Sequence, residues 1–131
     1  MTQEEKDLLL KDLCARLPYG VKVQSYSYEY GVETIETLQE IDSDGYTSTI
    51  ECDTLKCIAK PYLFPLSSMT EEQEKELHDK LIELELKAIN GEISRIEAVE
   101  FEIDFYNKHH LDWRGLIGKS LALDATNLNI Y

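Results

Sequence analysis

No run in this sequence comes near the roughly 18 to 20 consecutive apolar residues that cross a bilayer. The first seven residues, Met1 to Asp7, carry acids where a secretory leader needs cations, and no apolar core follows them. A cytoplasmic protein without membrane contact is expected. Cysteine is scarce as well. Cys14, Cys52 and Cys57 make an odd set at no disulfide-framework spacing, in a chain of 131 residues that can bury enough surface to fold without bridges. Buried, reduced thiols acting as small hydrophobes are the expectation. Positive charge is short by half: 13 lysines and arginines face 26 acids, a formal net charge of −13. Such a surface repels phosphate backbones, which disfavours direct nucleic-acid binding and favours a protein partner with a basic surface. It also admits an acidic mimic of nucleic acid, beside the plainer role of keeping the protein in solution. Repeats, low-complexity tracts and linker-like stretches are missing too, so residues 1–131 read as one domain.

What the chain does contain divides it into a helix over 1–19, strands over 20–60 and a helical region over 66–131, an α+β protein. Thr2 and Glu5 have capping-box spacing. Leu9, Leu10, Leu13, Cys14 and Leu17 recur at three and four residues, with Lys11, Asp12 and Arg16 on the polar side, until Pro18 and Gly20 end the helix. Val21 to Tyr30 then alternates, which puts Tyr26, Tyr28 and Tyr30 on one strand face. A second strand follows over about Val32 to Ile41, a turn at Asp44-Gly45, a third strand over about Tyr46 to Cys52 and a short fourth over Leu55 to Ala59. Three or four short antiparallel strands of this kind suggest a small curved sheet, with an SH3-like open barrel as the topology. Pro61 and Pro65 keep Tyr62-Leu63-Phe64 extended.

After Pro65 the period changes. Thr70 and Gln73 form a second capping box before a stripe of Leu77, Leu81, Leu84 and Ala88, widened by Ile82 and Ile89 and ended by Asn90-Gly91. Ser94 and Glu97 begin the second helix of a hairpin, expected to run to about Lys108. Val99, Phe101, Ile103 and Phe105 alternate with acids as a strand would, whereas Ile96, Val99, Ile103 and Tyr106 have helical spacing. The cap and the short preceding turn favour the helix. Beyond it the tail reads as a turn of helix, an apolar Leu121-Ala122-Leu123 and a loose end.

The candidate motifs fall short of catalytic signatures. Gly118-Lys119-Ser120 resembles the end of a P-loop, but the position of the first glycine holds Trp113. Asp42-Ser43-Asp44-Gly45 begins like a calcium loop, yet its glycine comes two positions early, and a hairpin turn explains the same residues. Cys52 and Cys57 with His109-His110 make a poor zinc set, because adjacent histidines point in different directions. No cofactor or metal is expected. Two aromatic groups stand out instead. The Tyr26, Tyr28 and Tyr30 row offers a platform for peptide recognition, or packs beneath a helix with its hydroxyls at the rim. His109, His110, Asp112, Trp113 and Arg114 form the densest polar and aromatic group, suited to anchor an interface. Equally, Asp112 can cap a turn, Arg114 pair with a helix acid and Trp113 close the core.

Leu8 to Val21, Lys60 to Thr70 and Asn107 to Ile117 with Leu121 to Thr126 together resemble a group of small proteins of Bacteroides-type gut bacteria and their prophages or mobile elements. The likeness touches both ends and the middle of the chain and leaves out the strands between about Val23 and Ala59. It implies a bacterial or phage origin and a cytosolic setting, and brings no catalytic residue with it. The reading that follows is a non-enzymatic interaction module for a protein partner, compatible with homo-oligomers. A small enzyme using His109 or His110 with a carboxylate is the alternative, and an acidic nucleic-acid mimic a further one.

Overall fold

A computed structural model describes residues 2–27, 32–41, 47–49 and 59–131. Thr2 accepts the Glu5 backbone N–H at 3.1 Å and starts α1 (Gln3–Arg16), which tightens into a 3-10 turn over Leu17–Tyr19. Gly20 closes that turn at φ 70°, a left-handed conformation open to a residue without Cβ. Leu9 and Leu13 face inward as their spacing requires. Asp12 and Arg16, expected on the solvent side, are fully buried, while Cys14 is exposed rather than a core thiol. The reversal has a physical cause: an acid and a base four residues apart on a helix can neutralise each other inside the protein. Cys52 and Cys57 lie outside the described residues.

The strand region begins with a three-stranded antiparallel sheet of β1 (Lys22–Ser27), β2 (Val32–Ile41) and β3 (Thr47–Thr49), in that order. Lys22 pairs with Thr37 at one end of β1 and Ser27 with Val32 at the other, and the register of β2 against β3 shifts between Leu38 and Glu40. Val23 also bridges Pro61, so residues 59–61 run beside β1. The Asp44-Gly45 turn lies outside the described residues, as does the fourth strand on which a barrel-like closure depends, apart from Ala59.

The second sheet departs from the sequence reading. Tyr62–Pro65, expected as a connector, is strand β4, the centre of a small parallel sheet flanked by β5 (Leu111–Asp112) and β6 (Leu123–Asp124). The tail is thus not a loose end: it supplies both neighbours of β4, and Leu121 and Ala122 are core residues. Two-residue strands carry too little alternation to announce themselves in a sequence. Leu9, Leu13, Val21, Val23, Leu63 and Leu116 meet in the main core, which therefore joins α1, both sheets and the tail.

Between β4 and β5 the chain makes the hairpin of α2 (Glu71–Ile89) and α3 (Arg95–Lys108). Thr70 closes a complete capping box with Gln73, its Oγ1 accepting the Gln73 N–H at 3.1 Å and its own N–H donating to Gln73 Oε1 at 3.0 Å. Thr70→Ala is expected to cost about 1 kcal/mol, seen as a Tm drop of a few degrees that Thr70→Ser restores. At the far end the Glu92 N–H reaches the Lys87 carbonyl and the Gly91 N–H that of Ala88, a Schellman ending that needs Gly91 at φ 75°. Ser94 caps α3 by accepting from Ile96 N–H, not from Glu97, which donates to the Ser94 carbonyl instead.

Residues 99–105 are helical. The buried face of α3 differs from the one its spacing suggested: Phe105 and Asn107 are buried, Phe101 and Tyr106 half-buried, and Ile96 and Val99 exposed. The reason is where the hairpin touches the rest of the molecule. Among the described residues its buried apolar side chains lie at its base, where Leu77 and Phe105 pack with Leu111, and Phe64 and Met69 lie around them. From residue 82 to residue 99 no side chain is buried.

Candidate functional site

His109 ends α3, and His110 at φ 58° takes the left-handed turn that swings the chain into β5. Asp112 is buried and its two carboxylate oxygens accept the backbone N–H groups of Leu116 (2.8 Å) and Ile117 (2.9 Å). Trp113 donates its indole N–H to Asn107 Oδ1 at 3.0 Å, and the Arg114 guanidinium lies 4.1 Å above the Trp113 ring. Arg114 Nε reaches Asp12 Oδ1 at 3.2 Å, while Arg16 Nε holds the other oxygen, Oδ2, at 2.8 Å and its Nη2 donates to the Leu111 carbonyl at 2.7 Å. One carboxylate from α1 therefore grips two guanidinium groups, one from its own helix and one from the loop after β5. Trp113 and Arg114 spend their polar atoms joining elements, while Asp112 holds the turn that follows β5.

Tyr131 completes the joint. Its ring stacks on His110 with centroids 3.7 Å apart, and its hydroxyl accepts the Lys22 N–H (2.7 Å) and donates to the Tyr62 carbonyl (2.8 Å). Burial pushes the Tyr131 hydroxyl pKa up to about 12. Burial likewise depresses His110 to about 4, helped by the positive charges of Arg16, His109 and Lys22. Among the described residues His110 Nδ1 is buried without a hydrogen-bond partner. His109 is also lowered by burial, against the pull of Glu76, and its Nδ1 sits 3.4 Å from Gln73 Nε2 beside a cavity of about 280 Å³. Among the described residues no carboxylate hydrogen-bonds either imidazole, and Glu76 acts on His109 through its charge. Of the tyrosine row, Tyr26 lies in β1 opposite Glu33, and Tyr28 and Tyr30 lie outside the described residues.

The exposed apolar surface lies elsewhere, on the projecting half of the hairpin. Ile82, Leu86 and Ile89 follow one another at four and three residues along α2, and Ile96 and Val99 at three along α3. They are exposed by 44%, 56%, 71%, 66% and 55% respectively, against the near-complete burial of Leu77 and Phe105 at the base. Between the helices runs an open groove of about 400 Å³ whose walls include Leu81, Ile89, Ala98 and Val99, with Glu85, Glu102 and Arg95 as its charged residues. Nearby, Lys87 and Lys80 both engage Glu83, at 3.3 and 3.4 Å, and hold its carboxyl below the usual range. Composition gave one signal for this face: α2 carries more aliphatic positions than one stripe uses, and Leu86 belongs to none. Tyr131 and Asn107 had no such signal, since each acquires its role from a partner distant in the chain.

The chain matches no protein-family model, no curated protein and no solved structure. Among the described residues no helix is long and apolar enough to cross a membrane.

Proposed function

We propose that this chain is a non-enzymatic protein-interaction module of a bacterial or mobile-element system, working in the cytoplasm and docking through the projecting half of α2 and α3. The origin rests on the sequence resemblance. The docking reading rests on a single observation: five large aliphatic side chains stand in solvent on one projecting hairpin, two of them, Ile89 and Val99, in the walls of an open groove. Scattered exposed hydrophobics need no explanation, but a cluster of this kind on one projecting element marks an association surface. The aromatic group around Trp113, by contrast, is occupied in holding α1, α3 and β5 together.

Because these side chains are exposed, Leu86→Gln with Ile89→Gln is expected to leave the Tm within about 2 °C of the parent, as surface changes do. The same pair of changes abolishes docking. A photo-crosslinking amino acid at position 96, introduced in the native host, should yield one discrete protein adduct that disappears in the double variant. An adduct that survives both substitutions, or none at all, refutes the docking face.

A further inference from the structure

The geometry points to a particular occupant for this groove: an amphipathic α-helix of another protein, with its apolar stripe flanked by lysine or arginine. This assignment rests on the docking reading above and adds the chemistry of the partner.

Length comes first. From α2 the trough is lined by Leu81, Glu85, Ala88 and Ile89, and Leu81 to Ile89 covers about 12 Å along the axis, enough to face an i to i+7 stripe on another helix. Three apolar anchors at such spacing form the usual contact of a helix laid into an apolar groove. The open space beside Ile89 and Val99 is a trough between two helices, the shape that ridge-into-groove packing fills.

Charge then separates the candidate occupants. Residues 71–108 carry twelve carboxylates against five lysines and arginines, a net charge of −7 over the hairpin. Two of those five cations, Lys80 and Lys87, are already engaged with Glu83. Glu85 and Glu102 approach the trough from opposite helices and outnumber Arg95, the cation in its lining, so an occupant meets an acid on either side and a wall of net negative charge. A second copy would bring the same acids face to face, with −13 on each molecule, and juxtaposed like charges cost association free energy. An anionic membrane surface is repelled for the same reason. Cationic flanks instead face Glu85 and Glu102, and the net field of the hairpin speeds the encounter.

The test uses the full chain and two synthetic helical peptides of about 14 residues with an identical leucine stripe, one flanked by lysines and one by glutamates. A third peptide keeps the lysines and replaces the leucines with glutamine. Titration followed by fluorescence anisotropy should give binding of the lysine-flanked peptide at least about tenfold tighter than of the glutamate-flanked one, and about tenfold weaker at high than at low salt. The glutamine-striped peptide should not bind. Ile89→Gln with Val99→Gln should lose about tenfold, and Glu85→Gln with Glu102→Gln should narrow the preference for the lysine flanks severalfold. Equal binding of the two leucine peptides, or tight binding of the glutamine-striped one, overturns the assignment while leaving position-96 crosslinking intact. A dimer in sedimentation that Leu86→Gln dissociates overturns it in favour of a second copy. Absence of the position-96 adduct removes the docking face itself.

Discussion

Replacing Asp12 with alanine is expected to cost about 3–5 kcal/mol of folding stability, the range for stranding a buried charge. The substitution leaves Arg16 with a fully buried guanidinium whose remaining protein contact is the Leu111 carbonyl, and it frees Arg114 from its anchor on α1. Equilibrium urea denaturation reads the effect as a fall in the midpoint of about 2 M with little change in slope. Arg114→Ala should cost less, about 1 kcal/mol, because that side chain is partly exposed at the edge of the group. Converting Asp12 and Arg16 together to leucine and methionine should recover most of the loss, since an apolar pair requires no desolvation of charge. A loss below about 1 kcal/mol for Asp12→Ala would show that the contact does not hold α1 to the loop after β5.

Acid is expected to weaken the protein through His110. In the folded chain its pKa is near 4 against the ordinary 6.5, so as pH falls the unfolded chain takes up the proton first. The contribution of the neutral ring is complete above pH 6.5, declines between 6.5 and 4, and is gone below that. A shift of this size corresponds to about 3 kcal/mol for a fully buried group, and solvent around the half-exposed ring reduces it to about 1–2 kcal/mol. Arg16 from α1, Lys22 from β1 and His109 all bear on the ring with the same sign. Protonating carboxylates over the same range also relieves the net charge of −13, so the informative quantity is the difference from His110→Asn, whose asparagine tolerates the positive φ. Between pH 7 and pH 4 the parent should lose about 1–2 kcal/mol more than this variant. Parallel curves would mean that His110 does not titrate abnormally.

Local chemistry was legible in the sequence wherever it acts over three or four residues. The Thr2 and Thr70 caps, the Gly91 ending and the helix over 95–108 all follow from near neighbours. Asp112 accepting backbone donors and Arg114 pairing with a helix acid were also readable, because the residue types permit little else once half-buried. The parts that escaped depend on distance. Asp12 and Arg16 looked like a solvated face because nothing near them in the chain reveals that Leu111 and Arg114 arrive on the other side. Strands β5 and β6 exist only as partners of β4. Spacing alone cannot choose which aliphatic stripe of an amphipathic helix meets the core, and in α3 the aromatic side packs while Ile96 and Val99 remain in water.

The way β4 is flanked has a consequence for synthesis. Its two neighbours come from residues 111–112 and 123–124, and Asp12 waits for Arg114 across 102 positions. Contacts of such sequence separation form late, because loop-closure entropy must be overcome before they contribute. On the ribosome the hairpin, which is local, is expected to appear first, while α1 and β4 stay without their final neighbours until nearly the whole polypeptide has emerged. Chains stalled before residue 111 should therefore be open to protease at α1 and more resistant in the hairpin.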